Sequence, residues 1–307
     1  MKKPINLNPR HQFLFFTLLF LISSCARQFM VIEKPAKMPP PLQLEKPPRV
    51  ALVLGGGAFH GAAHLGVLKV LEEEEIPIDM IIGASAGSFV GALYADFPHS
   101  DSLTSLVTNT KTKSVFDFSI FRSSEGFVSG KRLQKFLNDH LHASNIEDME
   151  IPFIAVTTDI EQARSVHLSS GPVAPSVNAS CAIPYIFEPV KMYGTTYVDG
   201  GVLDNLPADV ARMYGAEIII AVDIMADFDT VPNLNNNIDV LIRSFKVSSH
   251  VLKEMRKPIA DIIIAPSLKD MPLMSSKDNE KVYQAGIKAA REKLPAIKAK
   301  LAEKGVR

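Results

Sequence analysis

A serine with the surroundings of a nucleophile lies in the stretch MIIGASAGSF, residues 80–89. The apolar run before Ser85 predicts a strand and the residues after it predict a helix, while Gly83 and Gly87 allow a sharp turn that leaves the hydroxyl uncovered. The N-terminus of the predicted helix would also stabilise the negative charge that develops when the serine attacks a carbonyl. The same pattern occurs at turns that serve packing alone, so the motif by itself leaves both interpretations open.

A second candidate is the glycine-rich segment LGGGAFHG, residues 54–61, between a predicted strand and a predicted helix. Backbone N–H groups exposed by successive glycines could cradle a phosphate or form an oxyanion hole. A dinucleotide-binding loop requires an acidic residue at the end of the next strand, and that strand ends instead at Ser85. The dinucleotide interpretation therefore loses its key contact, while a phosphate cradle and an oxyanion hole both remain open. If the segment forms an oxyanion hole, its candidate donors are the amides of Gly55, Gly56, Gly57 and Ala58.

The group that accepts the serine proton is harder to assign from spacing. Of eight histidines, only His250 would complete a triad in the order serine, acid, histidine, and it lies in a predicted helix. Asp199 is the better candidate, because YVDGGVLDNLP places it at the end of a predicted strand, before Gly200 and Gly201. A buried, well-placed aspartate accepts a serine proton directly, whereas an aspartate in an ordinary D-G-G turn only caps its own backbone.

These motifs occur in an order that resembles the patatin-like phospholipases. The glycine-rich loop is followed by G-A-S-A-G, by SCAIP at 180–184 and by D-G-G, all within residues 49–224. The stretches GVLKVLEE and DGGVLDNLP are similar to the bacterial branch of that family. The resemblance implies acyl-ester hydrolysis by a serine–aspartate dyad without histidine, with Ser85 as nucleophile and Asp199 as base. It also implies that the glycine-rich loop holds the oxyanion and that no cofactor is needed.

One part of the loop departs from the family pattern. His60 stands where the family usually carries Arg or Lys, just before Gly61, and Ala58 stands where many members have another glycine. Histidine titrates near neutrality, unlike Arg or Lys. We therefore hypothesise either weaker catalysis or activity that falls as His60 loses its proton. A pH–rate profile that His60→Lys leaves unchanged would exclude the second possibility.

The N-terminal residues predict export and a lipid anchor. A basic start and the apolar stretch 13–22, too short to span a bilayer, indicate a signal peptide over residues 1–24. The sequence L-I-S-S-C resembles the bacterial lipobox, which implies a lipidated Cys25 and a place in the cell envelope, at the outer membrane of a Gram-negative bacterium. Six prolines in residues 33–48 predict an extended linker, so that residues 25–48 would hold the domain away from its anchor.

From residue 49 onward, predicted strands alternate with predicted helices, which indicates an α/β domain with a largely parallel central sheet. The resemblance implies a patatin-like domain of three layers over residues 49–307, with helices on both faces of the sheet. The predicted strands are 50–55, 78–83, 152–160, 195–201, 216–224 and 261–266, and helices are predicted at 64–75, 88–96 and 278–304. The phenylalanine-rich segment 114–130 is interpreted equally as a lid or acyl pocket and as a loop packed on the core.

The sequence as a whole predicts a membrane-anchored serine hydrolase of lipid esters, whether phospholipase, lysophospholipase or esterase. Its partners would be a lipid ester and, through Cys25, a membrane; protein partners are not indicated. The formal net charge of zero gives no reason to expect nucleic acid, and no residues at metal-ligand spacing indicate a metal. The alternative is a non-catalytic envelope lipoprotein that binds lipid or a protein partner, for which the His60 departure is the best support.

Overall fold

A computed structural model describes residues 30–110, 112–115, 128–227, 234–269, 271, 273 and 276–306. The strands in these residues are β1 (Met30–Ile32), β2 (Val50–Leu54), β3 (Met80–Ala84), β4 (Phe153–Asp159), β5 (Arg164–Leu168), β6 (Val190–Met192), β7 (Thr195–Asp199), β8 (Ile218–Val222) and β9 (Ile262–Ile264). The helices are α1 (Ala62–Glu73), α2 (Ala86–Asp96), α3 (Ser100–Asn109), α4 (Thr112–Val115), α5 (Lys131–His140), α6 (Val173–Ser180), α7 (Ala208–Met213), α8 (Asn237–Arg256) and α9 (Asn279–Glu303). Short 3₁₀ helices occur at Ala58–Gly61, Ile146–Asp148, Gly200–Val202 and Lys257–Ile259.

The described strands form one mainly parallel sheet in the order β1-β6-β7-β4-β3-β2-β8-β9, with β5 paired to β4. The central strands β4, β3, β2, β8 and β9 run parallel to their neighbours in this order. Both β5 and β7 run antiparallel to β4. The predicted α/β architecture is therefore confirmed, and β7, which carries Asp199, enters the sheet in the opposite direction.

Helices cover both faces of this sheet, as predicted. Val50, Leu52 and Leu54 of β2 point into a core shared with α1, α2, α5, α6 and α9. Ala51 and Val53 point into a second core on the other face, shared with α7 and the 3₁₀ helix at Lys257–Ile259. All five β2 residues are fully buried, which explains why the central strands are continuous apolar runs and do not alternate with polar residues.

The proline-rich segment lies against the domain, and the prediction that it stands off as a spacer is wrong. β1 extends the sheet by pairing in parallel with β6, in the register Met30 to Val190, and Met30 is buried. Further along, the Ser170 hydroxyl donates to the Pro40 carbonyl at 2.6 Å, and the Leu42 N–H donates to Ser169 Oγ at 3.1 Å. The folded domain therefore includes residues 30–48 and does not begin at residue 49.

Three predicted features lie outside the described residues: the signal peptide, Cys25, and Phe116, Phe118, Phe121 and Phe127 of the phenylalanine-rich segment. Across the described part of the chain, none of the helices combines the length and apolar character that crossing a bilayer requires.

Candidate active site

Ser85 occupies a strained turn between β3 and α2. Its backbone has φ 52° and ψ −121°, a conformation that a residue with a side chain rarely adopts. The turn is packed so tightly that a Cβ on Gly87 would overlap the Leu54 carbonyl, and one on Gly83 would press on the backbone of Gly87 and Ser88. The predicted strand, turn and helix are thus present. Gly87 is needed because the elbow lies directly against the end of β2, and Gly83 is needed because the start of α2 lies directly against β3.

The backbone N–H and the carbonyl of Ser85 are both held by residues at the C-terminus of α6. The Ser85 N–H donates to Ser180 Oγ at 3.0 Å, and the Ser180 hydroxyl donates in turn to the Val156 carbonyl at 2.6 Å. The Cys181 thiol donates to the Ser85 carbonyl at 3.1 Å. Two consecutive side chains therefore fix the strained backbone that presents the Ser85 hydroxyl.

The sheet register brings Asp199 to the same level as Ser85. Ala84 of β3 pairs with Val156 of β4, and the next β4 residue, Thr157, pairs with Asp199 of β7. Ser85 and Asp199 therefore lie on either side of β4, two strand spacings or about 10 Å apart at the backbone. The Asp199 N–H donates to the Ala182 carbonyl at 2.9 Å, so the segment that holds Ser85 also holds the second member of the predicted dyad.

The Asp199 carboxyl is buried and poorly compensated. Oδ1 accepts a hydrogen bond from the Gly201 N–H at 2.7 Å, but within the described residues Oδ2 has no hydrogen bond of good geometry. Burial raises the pKa of Asp199 to about 7, against the lowering effect of the nearby Ser85 hydroxyl and of the Gly201 N–H. A carboxylate with this pKa, beside a serine hydroxyl, has the basicity that proton abstraction at neutral pH requires.

The polar groups of Gly55 are used within the fold. Its N–H donates to the Val222 carbonyl at 3.0 Å, and its carbonyl accepts a hydrogen bond from His64 Nε2 at 2.8 Å. His64 is completely buried, and this burial lowers its pKa to about 4, although the contact with Gly55 and the charge of Asp223 raise it. The ring is therefore neutral at physiological pH and acts as a fixed donor that anchors the start of the loop.

The remaining loop amides divide into engaged and free donors. The Gly56 N–H donates to the Asn205 carbonyl at 3.0 Å, and the Gly57 carbonyl accepts from the His60 N–H at 2.9 Å. Within the described residues, the N–H groups of Gly57 and Ala58 have no backbone or side-chain acceptor. Since buried N–H groups are almost always paired, these two amides are the ones available to an incoming oxyanion.

The His60 ring is directed between two carbonyl groups. Its Nδ1 lies 3.3 Å from the Ile224 carbonyl and its Nε2 lies 3.0 Å from the Met271 carbonyl. A carbonyl oxygen only accepts, so both contacts are hydrogen bonds only when both ring nitrogens carry a proton. Among the described residues that line the cavity beside Ser85, His60 does not occur. The His60 ring therefore holds the loop to these two carbonyl groups and does not contact the contents of the cavity.

An apolar cavity opens beside Ser85, with an empty volume of about 1030 Å³ that includes its mouth. Its apolar walls include Phe59, Leu65, Phe89, Val90, Val107, Val115, Leu133, Phe136, Ile183 and Phe187. None of the described lining residues is charged. Phe89 and Phe136 bring α2 and α5 together, with ring centroids 5.8 Å apart. A cavity of this composition suits a hydrocarbon chain better than a charged group.

Three residues of this site were not predicted as functional, namely Ser180, His64 and Asn205. Each lies inside or next to a motif, but nothing in the spacing indicates that its side chain reaches a backbone group of another motif. For metals, the described residues bring together no group of three or more His, Cys, Asp or Glu side chains that could hold an ion.

Fold and site together define an α/β protein with a serine elbow, a buried aspartate and a glycine-rich donor loop. The family model for patatin-like phospholipases matches residues 52–212, more than half of the chain, and the chain belongs to that family. This family membership confirms the resemblance inferred from the motifs.

Relatives and a solved structure agree with this assignment. Human patatin-like phospholipase domain-containing protein 6 is 37% identical over 192 residues, which are 59% of this chain and 14% of that protein. Lysophospholipase nte1 of Aspergillus fumigatus is 35% identical over 189 residues, which are 60% of this chain and 12% of that protein. The match thus spans less than a sixth of either relative. The crystal structure of VipD from Legionella pneumophila shares the fold with a TM-score of 0.54 at 14% identity, covering 91% of this chain and 73% of that one.

The raised pKa of Asp199 predicts a specific pH dependence. Because the base must be ionised, kcat/KM for an ester should rise about tenfold per pH unit below pH 7 and level off above it. Asp204→Asn is a matched control, since burial also raises the pKa of this neighbouring acid, to about 8. The control should keep the profile of the unmodified chain. If the rise below pH 7 disappeared in Asp204→Asn, the titrating group would be Asp204, and the assignment to Asp199 would be contradicted.

The contacts of Ser180 predict that it positions the nucleophile. Ser180→Ala removes the acceptor of the Ser85 N–H, and we expect kcat to fall about tenfold or more with little change in KM, since small displacements of a nucleophile are costly. Ser176→Ala is the control, because Ser176 is equally buried in α6 but its hydroxyl donates to the carbonyl of Pro172, the residue just before that helix. Steady-state kinetics on a short ester would distinguish them, and equal losses in both variants would contradict a positioning role.

Proposed function

We propose that this protein is a serine hydrolase of lipid acyl esters. The observation that carries the proposal is the strained elbow of Ser85, which opens onto an apolar cavity while a buried aspartate with a pKa of about 7 lies level with it. Nucleophile, base and acyl site thus occur together. Family membership and the relatives named as lysophospholipases support the same activity.

The proposed reaction has two steps. In the first, Ser85 Oγ forms a bond to the ester carbonyl carbon while its proton passes to Asp199, and the collapse of the tetrahedral intermediate releases the alcohol with that proton. In the second, Asp199 takes a proton from water, the resulting hydroxide attacks the acyl-enzyme, and the proton returns to Ser85 as the fatty acid leaves. One carboxyl therefore acts as base and then as acid in each step.

We assign the oxyanion hole to two of the four predicted donors. The amides of Gly55 and Gly56 already donate to Val222 and Asn205, so they support the loop. The amides of Gly57 and Ala58 would bind the negative oxygen. Ala58 adopts φ 45°, a conformation that glycine adopts at lower cost, so the loop carries strain at the residue proposed to contact the oxyanion.

We further propose that Cys25 is lipidated after removal of residues 1–24 and that the protein belongs to the bacterial branch of the family. Only four residues, 26–29, would then separate the lipid from β1, which is part of the sheet. The domain would consequently lie close to the membrane that contains its substrate. The mass of the N-terminal peptide from cell envelopes tests this proposal, because an unmodified or uncleaved N-terminus would contradict it.

The activity itself is tested by labelling the full-length protein with a fluorophosphonate, which reacts with activated serines. Labelling should be lost in Ser85→Ala and should fall strongly in Asp199→Asn, because the hydroxyl then has no base. Ser88→Ala is the matched control, a buried serine one turn further along α2, and should label like the unmodified chain. Hydrolysis of lysophospholipid, diacyl phospholipid and neutral ester vesicles would then rank the substrates.

The opposite outcome would support the non-catalytic alternative. A folded protein that is not labelled between pH 5 and 9, and that releases no fatty acid from any of the three substrates, would contradict the hydrolase proposal. Retention of lipid by such an inactive protein would favour a lipid-binding lipoprotein.

A further inference from the structure

Asn205 lies between the glycine-rich loop and the turn that carries Asp199. It is buried, with 7% of its surface exposed, and it belongs to the segment that follows the 3₁₀ helix Gly200–Val202. Its side chain fills the space that a Cβ would need at two glycines. A Cβ on Gly201 would lie 2.7 Å from Asn205 Oδ1, and one on Gly56 would collide with the same oxygen.

Asn205 contacts Gly56 through two separate groups. The Asn205 carbonyl accepts the Gly56 N–H at 3.0 Å, and Asn205 Nδ2 donates to the Gly56 carbonyl at 3.2 Å. Both polar groups of Gly56 are therefore directed toward one residue. The side-chain amide must present its NH₂ group here, because the Gly56 carbonyl only accepts.

The second contact determines where the next amide points. The Gly56 carbonyl and the Gly57 N–H belong to one planar trans peptide, in which the two groups point in opposite directions. Holding the carbonyl at Asn205 therefore turns the Gly57 N–H to the opposite side. This N–H is one of the two loop amides without an acceptor in the described structure, and a Cβ on Gly56 would lie 3.0 Å from Ser85 Cβ, so the peptide adjoins the nucleophile.

We infer that Asn205 is a positioning residue that orients the Gly57 amide toward the oxyanion formed at Ser85. This inference rests on the proposed hydrolase function and adds the group that sets the oxyanion hole. Asn205 itself does not touch the reacting atoms. Its effect should therefore appear in the turnover number and not in substrate binding.

The test compares three full-length variants in detergent with p-nitrophenyl butyrate as substrate. Asn205→Ala removes the donor to the Gly56 carbonyl, and Asn205→Asp replaces it with an oxygen that repels that carbonyl. We expect kcat to fall about 10- to 100-fold in both, below the 10²–10³ loss seen when an oxyanion donor is deleted outright, with KM changed less than about twofold. Asn178→Asp is the control, since Asn178 is also buried but its amide contacts Met30 Sδ.

The pH dependence of kcat in the Asn205→Asp variant distinguishes a positioning role from a purely structural one. Once protonated, the carboxyl that this substitution introduces can again donate to the Gly56 carbonyl, so the kcat of Asn205→Asp divided by that of the unmodified chain should rise as the pH falls. Asp199 and Asp204 titrate in both proteins. If the added charge acted only by raising the pKa of Asp199, the ratio would instead rise with increasing pH.

Each outcome decides the inference. A loss confined to kcat in the Asn205 variants, with Asn178→Asp near normal, supports it. Equal losses in all three variants, a change mainly in KM, or a ratio that is flat or rises with pH would overturn it while leaving the hydrolase proposal intact. Failure of both Asn205 variants to fold, with the control folded, would make Asn205 a folding residue and also overturn it. An unmodified chain without activity would overturn both proposals.

Discussion

The strained backbone of Ser85 is the constraint around which the site is built. A residue with a side chain at φ 52° costs free energy, and it persists only because its surroundings leave it no alternative. Ser180 holds its N–H and Cys181 holds its carbonyl. Gly87 allows the end of β2 to lie against the turn, and Gly83 leaves room for the start of α2. The same short segment, through Ala182, also holds the backbone of Asp199, so one element sets the relation between the two proposed reacting residues.

Burial of Asp199 links its proposed role as a base to the stability of the fold. Its pKa is about 7 in the folded chain against 3.8 for an ordinary aspartate, so between these values the folded protein holds a proton that the unfolded chain releases. Its contribution to the free energy of unfolding therefore falls by about 4 kcal/mol as the pH rises from about 4 to 7. Above pH 7 this contribution stays constant. The fold thus tolerates a buried, poorly paired carboxylate at the pH where that carboxylate is basic enough to act.

The sequence allowed the central sheet, the elbow and the family to be predicted because these depend on local patterns. Continuous apolar runs mark β2, β3, β8 and the first half of β4, and glycines mark the turns beside Ser85 and Asp199. β1 was missed because three residues before a proline-rich stretch carry no periodicity, and its place depends on the exposed edge of β6. The division of the loop amides was not predictable either, since it depends on Asn205 and Val222, which lie far along the chain and reach the loop only in the folded protein.

The short distance between β1 and the proposed anchor bears on how a lipid would reach Ser85. The amide of Gln134 on α5 contacts Met30 of β1. Two neighbours of Gln134 on the same helix, Leu133 and Phe136, line the apolar cavity. The strand nearest the proposed lipid anchor therefore packs on the helix that forms a wall of the proposed acyl site. An anchor at Cys25 would hold this side of the domain near the bilayer, which shortens the path of an acyl chain into the cavity. Residues 30–48 would then set the orientation of the domain on the membrane, a role that a flexible spacer could not perform.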